Sequence, residues 1–350
     1  MLIIPEPVLN EFGLQSNEVT ITPVNIGLIN RTWKLVHNET AFILQQVNDA
    51  VFKKPEDISF NLAAIGSYLH VHKPDYFFTA PVKTITGDEL VYIRQQGYFR
   101  MFPFVAGSHT IDTVETPEQA YEAASQFGKF TASLSGFDHT TLKITIPGFH
   151  DLSLRFKNFK EALNTGNKNR LQESAAVISR LKSWYPIAEK FEQIRSFGAF
   201  KLRVMHHDSK ISNVLFDTND KGICVIDLDT VMPGYFFSDP GDMMRTYLCP
   251  VNEEEADFSK IEIRPDYYKA ITDGYLAEMN NELTETEKKN FFYSGACMIY
   301  MQALRFATDY LNNDMYYGTA YPGHNLVRAG NQAVLLERYL KMENQLMAAI

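Results

Sequence analysis

Short alternating stretches of apolar and polar residues fill the first hundred positions of the chain. Alternation bounded by Asn, Gly and Asp turns is typical of half-buried β-strands, whereas apolar residues at three- and four-residue intervals indicate helices. A short helix is predicted near residues 8–13 and a longer one at 55–70, where Ile58, Leu62 and Ile65 share one face. The predicted strands, which we expect to form an antiparallel sheet, are 19–24, 32–36, 41–47, 82–85 and 97–102.

Helical periodicity dominates from residue 116 onward. Pro186 is expected to break the long stretch 168–195 into two helices, because proline lacks the backbone N–H that a helix interior needs. Thr284 and Glu287 fit a capping box at the start of a later helix. The other predicted elements are helices at 117–134, 152–163, 265–279, 284–305 and 325–346, and short strands at 202–205, 214–216 and 223–226.

The change from strands to helices near residue 103 divides the chain into two lobes. We expect an α+β protein with a small antiparallel β-lobe carrying one helix at 1–102, a hinge at 103–108, and a mostly helical lobe at 109–350. The helical lobe is expected to hold a β-hairpin at its active edge. A length of 350 residues and a hydrophobic content of 45% suffice for such a packed fold and exclude a disordered chain.

Net charge and cysteine content limit the kinds of partner that the protein is expected to bind and the compartment in which it is expected to lie. The net charge of −9 argues against a nucleic acid or an anionic membrane as partner. Cys224, Cys249 and Cys297 form no CxxC pair and indicate core thiols in a reducing compartment. No run approaches 18 apolar residues, and the N-terminus lacks the basic region of a signal peptide. We therefore expect a cytoplasmic protein that is a monomer or a weak homo-oligomer.

The strongest chemical signal is the pattern H-x-D-x-x-x-x-N formed by His206, Asp208 and Asn213. A lone Asp after a strand more often caps a loop. Together with the His and the Asn, however, Asp208 is predicted to accept the proton of a substrate hydroxyl during phosphoryl transfer. Asn213 offers a neutral oxygen of the kind that Mg²⁺ binds.

A second acidic pair, Asp227 and Asp229, follows the next predicted strand. A hairpin between the strands at 214–216 and 223–226 would bring Asn213 and Asp227 together, which favours a shared metal site. On an extended segment Asp227 and Asp229 would point to the same side. Asp229 is therefore expected to be a second ligand or a substrate contact, with a structural role equally open.

Neighbouring residues of this stretch have simpler interpretations. Adjacent His206 and His207 cannot both face one ion from a regular strand, which argues against a zinc site; His206 is expected to support the loop by hydrogen bonds. Lys210 is expected either to reach a γ-phosphate or to be solvated without a partner. The turn-rich run at 239–242 is expected to be structural, with Asp242 capping a helix or anchoring the catalytic loop.

The small lobe contains a candidate phosphate-binding turn. Gly27 and Asn30 lie between two predicted strands, where a glycine turn can cover nucleotide phosphates, although a single glycine equally fits an ordinary β-turn. In the third strand Gln45 stands where phosphate-binding kinases usually carry a lysine. Gln45 can donate a hydrogen bond to a phosphate but adds no charge, and Glu56 is the only nearby Glu on the helix that follows.

Several motifs resemble those of the phosphotransferase enzyme family, which includes aminoglycoside phosphotransferases and choline kinases. Within it the chain is most similar to bacterial N-acetylhexosamine 1-kinases. The resemblance spans nearly the whole chain and rests on GLINRTWKLV (27–36), FILQQVN with VFKKPEDI (42–58), FRMFPFVAGS (99–108), HHDSKISNVLFD (206–217), VIDLDTVMPG (225–234) with DPGDMMR (239–245), and RFATDYLNNDMYY (305–317).

The resemblance implies a protein-kinase-like two-lobed fold, with ATP and Mg²⁺ as cofactors. It implies Asp208 as the base, Asn213 and Asp227 as Mg²⁺ ligands, and a hinge in which Phe102 and Phe104 contact the adenine.

The same resemblance implies that Arg305 and Tyr317 lie near a sugar substrate. The alternative for Arg305 is a structural ion pair with Asp309 four residues later on the same helix.

These features favour an ATP-dependent kinase that phosphorylates the anomeric 1-hydroxyl of an N-acetylhexosamine, with a small-molecule sugar as its partner. A different acceptor remains open: choline, an amino alcohol, homoserine or an aminoglycoside. A cationic acceptor would require an acidic, aromatic-rich pocket. A nucleotide-binding pseudokinase is a third possibility, suggested by Gln45 and opposed by the intact Asp208, Asn213 and Asp227.

Overall fold

The computed structural model of the chain describes residues 4–24, 29–198 and 200–348. Within these ranges no helix has both the length and the apolar character needed to cross a membrane. A β-sheet lobe comes first in the chain, and a larger helical lobe with two small two-stranded sheets follows. The architecture is the predicted α+β arrangement.

The first lobe is a five-stranded antiparallel sheet with the order β1-β2-β3-β5-β4. Alternate residues of its central strands, such as Trp33, Leu35 and Leu44, are buried, so the period-two pattern forms a core on one face. The strands are β1 (Val19–Val24), β2 (Arg31–His37), β3 (Thr40–Val47), β4 (Val91–Ile93) and β5 (Gly97–Pro103), with helices α1 (Glu6–Glu11) and α2 (Pro55–His72).

The strand predicted at 82–85 is wrong. Val82 donates one backbone hydrogen bond to Met101 of β5 (2.7 Å), but Thr84 then bonds to Asp88 (2.7 Å) and the chain turns back on itself. The backbone N–H and C=O groups that would pair with a neighbouring strand are used instead within this local turn. The short strand β4 occupies the sheet edge instead.

The second lobe is built around the long helix α11, which is buried along most of its length and packs against α4, α8 and α12. Its helices are α3 (Pro117–Ser133), α4 (Leu152–Thr165), α5 (Lys168–Glu173), α6 (Ala175–Ser183), α7 (Tyr185–Phe197), α8 (Ser238–Tyr247), α9 (Pro265–Met279), α10 (Glu285–Lys288), α11 (Phe291–Leu311), α12 (His324–Lys341) and α13 (Glu343–Met347).

Helix boundaries differ from prediction at several positions. The stretch 168–195 forms three helices rather than two, with breaks at Ser174 and Trp184. Pro186 does not break a helix, because it lies in the first turn of α7, where no intrahelical bond from its nitrogen is required. The predicted helices 284–305 and 325–346 are each divided in two, and the supposed turn at 239–242 lies inside α8.

Two short antiparallel pairs lie beside the helices. Strand β7 (Val214–Phe216) and β8 (Gly222–Val225) form the predicted hairpin, with β8 ending one residue earlier than expected. Strand β6 (Leu202–Met205) pairs with β9 (Met232–Tyr235), which the sequence did not predict because Pro233 and Gly234 weaken its strand pattern.

The connection between the two lobes is short. Strand β5 ends at Pro103, and His109 already exchanges two backbone hydrogen bonds with Phe216 of β7, each 2.9 Å long. The lobe boundary at residues 103–108 stays a prediction that agrees with this path.

A buried carboxylate fixes the start of β6 against the helical lobe. Glu287 accepts hydrogen bonds from Arg203 Nη1 and Nη2 (2.7 and 2.9 Å) and from the backbone N–H groups of Lys201 and Thr284 (2.9 and 2.8 Å). The predicted capping box of Thr284 and Glu287 is thereby confirmed. Burial raises the pKa of Glu287, but the hydrogen bonds from Arg203 and the backbone outweigh it and lower the pKa overall.

Replacing Glu287 by Ala is expected to cost about 3–5 kcal/mol of unfolding free energy, because it leaves Arg203 buried without its counterion. Because the native pKa of Glu287 lies below its unfolded value, its contribution is present at neutral pH and is lost as the pH falls through the native pKa. Urea unfolding at pH 7 and pH 3 measures both effects. The matched control is Glu285→Ala on the same helix, whose side chain is 80% exposed; equal losses in the two variants would contradict the assignment.

Candidate active site

A cleft of about 1380 Å³ lies between the two lobes and contains nearly all of the candidate functional residues. It is lined from the β-lobe by Asn30, Lys34, Gln45, Lys53, Arg100, Phe102 and Phe104, and from the helical lobe by Phe149, His150, Asp208, Lys210, Asn213, Asp227, Asp229, Arg245, Gln302, Arg305 and Tyr317. The sequence therefore identified residues that the fold brings together. Gly27 lies outside the described residues.

Side chains from the first turns of α8 hold the loop that follows β6 by hydrogen bonds to its backbone. The carboxylate of Asp239 accepts hydrogen bonds from the backbone N–H groups of His206 (3.0 Å) and His207 (2.8 Å). Asp242 accepts one from the N–H of Ser209 (3.0 Å) and is paired with Arg245 (2.9 Å). The expected anchoring role of Asp242 is confirmed, although the residue lies within the helix and not at its cap.

The two adjacent histidines contact different segments of the chain. The Nε2 of His206 lies 2.9 Å from the carbonyl oxygen of Ile226, which confirms the predicted supporting role. His207 has a left-handed backbone (φ 67°) and places its Nδ1 2.7 Å from the hydroxyl of Ser238. Burial lowers the pKa of both rings, so the neutral forms are favoured at physiological pH.

Asp208 projects from this loop into the cleft and is held by two neighbours. Asn213 Nδ2 donates to its carbonyl oxygen (2.8 Å) and to its Oδ2 (2.9 Å), and Lys210 Nζ lies 3.1 Å from the same Oδ2. Burial raises the pKa of Asp208, but the positive charge of Lys210, together with the hydrogen bonds from Lys210 and Asn213, outweighs it and lowers the pKa. The carboxylate is therefore ionised and oriented, while Lys210 is paired rather than simply solvated.

Asn213 and Asp227 lie at the same end of the β7–β8 hairpin, as predicted. The Val214–Val225 pair closes the hairpin, and Ile226 N–H donates to the carbonyl oxygen of Asn213 (2.8 Å). Asp227 has a left-handed backbone (φ 58°), and its carboxylate opens to the cleft with no hydrogen-bond or ion-pair partner among the described residues.

The same place has the chemistry of a cation site. The loss of surrounding water raises the pKa of the Asp227 carboxyl group, and the nearby carboxylates of Asp229 and Asp208 raise it further. Hard oxygen donors with excess negative charge suit Mg²⁺, which binds through a few protein oxygens together with phosphate oxygens. The residues present therefore fit the metal that the sequence predicts, and Asn213 and Asp227 stay the candidate ligands.

Asp229 differs from its expected arrangement. Residues Leu228–Thr230 form a 3₁₀ turn after the left-handed Asp227, so the alternation of an extended segment does not apply. Asp229 is buried, and it contacts Arg100 Nη2 (2.5 Å) and Asn30 Nδ2 (2.8 Å) from the β-lobe. The premise that both acids point to one side is wrong, and Asp229 is occupied by partners that the sequence did not suggest.

Arg100 is the functional candidate that sequence reasoning missed. It stands directly opposite Gln45 in the β3–β5 register, and Gln45 Oε1 accepts from both its Nε (3.0 Å) and its Nη2 (2.8 Å). The sequence feature that could have identified Arg100 was its position as a single charged residue in the apolar stretch FRMF. Glu56, the acidic residue considered for the following helix, instead accepts from the hydroxyl of Tyr98 (2.5 Å).

The predicted hinge aromatics lie on the cleft wall. The backbone N–H of Phe104 donates to Ala41 (3.0 Å), and the ammonium of Lys34 lies 3.7 Å from the centre of the Phe104 ring. The ring of Phe102 lies 5.1 Å from the guanidinium carbon of Arg100. Both rings are half-buried, which leaves apolar faces for a planar ligand.

Arg305, on α11 of the helical lobe, lies among aromatic rings. Its guanidinium carbon lies 5.3 Å from the ring of Phe149 and 5.4 Å from that of Tyr317, and its Nη1 donates to Gln302 (3.1 Å). The alternative ion pair with Asp309 is wrong, because that carboxylate accepts the backbone N–H groups of residues 316 and 317 (2.8 Å each). Within the described ranges Arg305 has no carboxylate partner.

Comparison with known proteins gives the family. The sequence model of the phosphotransferase enzyme family matches residues 20–277, well over half of the chain. The chain therefore belongs to the phosphotransferase enzyme family. The predicted family, fold and general enzyme class are confirmed, whereas the acceptor and the individual roles of the site residues stay predictions.

Solved structures share the fold at low sequence identity. A microcompartment-associated aminopropanol kinase is 17% identical with a TM-score of 0.65, and each chain is covered to 97%. An aminoglycoside phosphotransferase from Alicyclobacillus acidocaldarius is 13% identical with a TM-score of 0.60, covering 99% of this chain and 98% of its own. A choline kinase from Cryptosporidium parvum is 14% identical with a TM-score of 0.55, covering 97% and 95%.

Substituting Asp239 by Ala is expected to remove about 2–5 kcal/mol of unfolding free energy, because two buried N–H groups lose their acceptor. Hydrogen exchange of the amides at 206–209 should accelerate in the folded protein. Asp217→Ala is the matched control, since Asp217 also accepts two backbone N–H groups (2.7 and 2.9 Å) but in an exposed turn. Unchanged exchange at 206–209 in Asp239→Ala would show that the loop does not depend on this carboxylate.

Proposed function

We propose that the protein is an ATP- and Mg²⁺-dependent small-molecule kinase that phosphorylates the anomeric 1-hydroxyl of an N-acetylhexosamine. The observation that carries the proposal is that one cleft is lined by the ionised Asp208, by the oxygen donors Asn213 and Asp227, and by Arg305, which has no carboxylate partner among the described residues. Family membership makes phosphoryl transfer the expected chemistry.

In this proposal Asp208 orients the acceptor hydroxyl and takes its proton as the phosphoryl group transfers. Its carboxylate is prepared for that role because Asn213 and Lys210 hold one oxygen, at 2.9 and 3.1 Å. Mg²⁺, when bound by Asn213 and Asp227, neutralises charge on the β- and γ-phosphates. The remaining work of the protein is positioning and charge stabilisation, which supply most of the rate in such reactions.

The nucleotide is assigned to the β-lobe side of the cleft. Phe102 and Phe104 offer half-buried rings against which an adenine can pack, next to the short connection between the lobes. Asn30 and Gln45, predicted as nucleotide contacts, are both engaged with the ion pair of Arg100 and Asp229. We therefore assign them an indirect role in nucleotide binding, through the side chains they orient.

The charge at the acceptor end favours a neutral, oxygen-rich substrate over a cationic one. Arg305 has no carboxylate partner in the described part of the chain, while the nearby acids Glu253 and Glu254 are paired with Arg245 (2.7 Å) and Arg328. Burial, with the neighbouring charge of Arg305 among its other causes, lowers the pKa of His150 well below its usual value. An acetamido carbonyl and sugar hydroxyls can accept hydrogen bonds from such a pocket, whereas an ammonium would be repelled.

Replacing Asp208 by Asn is expected to lower kcat by about 10²- to 10⁴-fold while leaving ATP binding largely intact, because only the proton acceptor is removed. Steady-state ADP release and calorimetric ATP binding measure the two effects. Asp217→Asn provides a control Asp-to-Asn change outside the cleft. Near-normal turnover in Asp208→Asn would rule out this residue as the base.

The acceptor class is tested by measuring ADP release with free N-acetylhexosamines, choline, aminopropanol, homoserine and aminoglycosides. The proposal expects turnover with the sugars and formation of an acid-labile sugar 1-phosphate. Turnover confined to the amine-containing acceptors would replace the sugar assignment by the alternative acceptor class. ATP binding without turnover of any acceptor would favour a nucleotide-binding pseudokinase.

Arg305→Met is expected to raise KM for the sugar by about 10- to 100-fold with a smaller effect on kcat, because a charged hydrogen-bond donor to the substrate is lost. The KM for ATP should not change. Arg180→Met, at an exposed ion pair with Glu337, is the control for loss of an arginine elsewhere. An unchanged sugar KM in Arg305→Met would exclude this residue from the acceptor site.

A further inference from the structure

A buried ion pair joins the two lobes at the back of the cleft. Arg100 Nη2 lies 2.5 Å from Asp229 Oδ1, and the two side chains are only 4% and 3% exposed. The second oxygen of Asp229 accepts from Asn30 Nδ2 (2.8 Å), and Asn30 Oδ1 in turn accepts from the backbone N–H of Asn48 (3.0 Å). Both members of the pair are therefore fixed in position.

The guanidinium of Arg100 is also oriented from its own sheet. Gln45 accepts from Nε and Nη2, so the contacts with Gln45 and Asp229 use one side of the planar group. Nη1 has no acceptor among the protein atoms of residues 4–24, 29–198 and 200–348. Arg100, Gln45 and Asp229 all line the cleft together with Asp227, the metal-ligand candidate.

We propose that Arg100 is the cation that contacts the nucleotide phosphates, in place of the lysine that the third strand lacks. Gln45 and Asp229 are its positioning residues. This inference rests on the proposed kinase function and deepens it. With Nε and Nη2 held in this way, the N–H groups of Nη1 stay in a fixed plane and can donate charge-assisted hydrogen bonds to phosphate oxygens.

Other cations on the β-lobe side are less suited to this role. Lys34 places its ammonium over the ring of Phe104, at 3.7 Å from the centre. Lys53 lines the cleft but is exposed and has no orienting partner among the described residues. Removing a third-strand lysine without replacement would leave the phosphates without a fixed positive charge from this lobe. Arg100 supplies that charge from the adjacent strand, opposite the position of the missing residue.

The phosphate series adenosine, AMP, ADP and ATP tests the proposal without an acceptor. Calorimetric affinities are measured with Mg²⁺ for the wild type and for Arg100→Met. The expected result is an unchanged affinity for adenosine and a loss of about 10- to 100-fold for ADP and ATP, since charged hydrogen bonds to phosphate are removed. Lys53→Met is the matched control, and a phosphate-dependent loss in that variant alone would overturn the assignment of Arg100.

A double variant separates phosphate contact from a purely structural role. Arg100→Met leaves Asp229 buried without its counterion and can destabilise the fold. Arg100→Met/Asp229→Asn removes both charges. If Arg100 only neutralises Asp229, the double variant recovers wild-type ATP affinity, and the proposal is wrong. The proposal expects the double variant to be folded, to bind adenosine normally and to stay weak for ADP and ATP.

Moving the positive charge provides a rescue test. Gln45→Lys/Arg100→Met places an ammonium on the opposing position of β3, within the same pair of strands. We expect it to recover part of the ADP and ATP affinity lost in Arg100→Met, whereas Gln45→Met/Arg100→Met should not.

The outcomes for the inference and for the kinase function are distinct. A wild-type protein that binds none of the four nucleotides would refute the proposed function. A wild type that binds ATP, combined with equal losses for adenosine and ATP in Arg100→Met, would refute only the role of Arg100.

Discussion

The structure depends on one carboxylate that organises the catalytic loop. Asp239, buried in the first turn of α8, accepts the consecutive N–H groups of His206 and His207, and it thereby holds the left-handed backbone of His207 directly before Asp208. Gly241 permits that arrangement, because a Cβ there would overlap the carbonyl oxygen of Ser294 on α11. The packing of two helices thus fixes the direction of a side chain in the cleft, and a substitution far from substrate can displace it.

Charge is distributed unevenly along the cleft, and this distribution separates its functions. The centre is crowded with the carboxylates of Asp208, Asp227 and Asp229, which favours a divalent cation. Two arginines also line the cleft: Arg100 of the β-lobe, which is paired with Asp229, and Arg305 of the helical lobe. A nucleotide with its metal and an electron-rich acceptor complement this order of charges. The pocket of a cationic acceptor would require the reverse charge at the Arg305 end.

The sequence predicted the elements and much of the site, but not the contacts between distant segments. Strict periodicity located most helices and the β7–β8 hairpin, and the spacing of Asp208, Asn213 and Asp227 reflects their joint position on a single loop and hairpin. Strand β9 and the small-lobe edge were missed or misplaced, because proline, glycine and local turns there compete with weak strand patterns. Arg100 was missed because its importance comes from its pairing with Gln45 in the sheet and from its contact with Asp229, which lies far away in the sequence.

The 3₁₀ turn after Asp227 has a mechanical consequence. A single peptide segment carries the metal-ligand candidate Asp227 and, two residues later, the anchor of the β-lobe, Asp229. A rigid turn of this length cannot reposition one carboxylate without moving the other. Under the proposed function, the Mg²⁺ site at Asp227 and the Arg100–Asp229 contact between the lobes share this turn, so a change at one is expected to affect the other, and linkage of this kind is reciprocal.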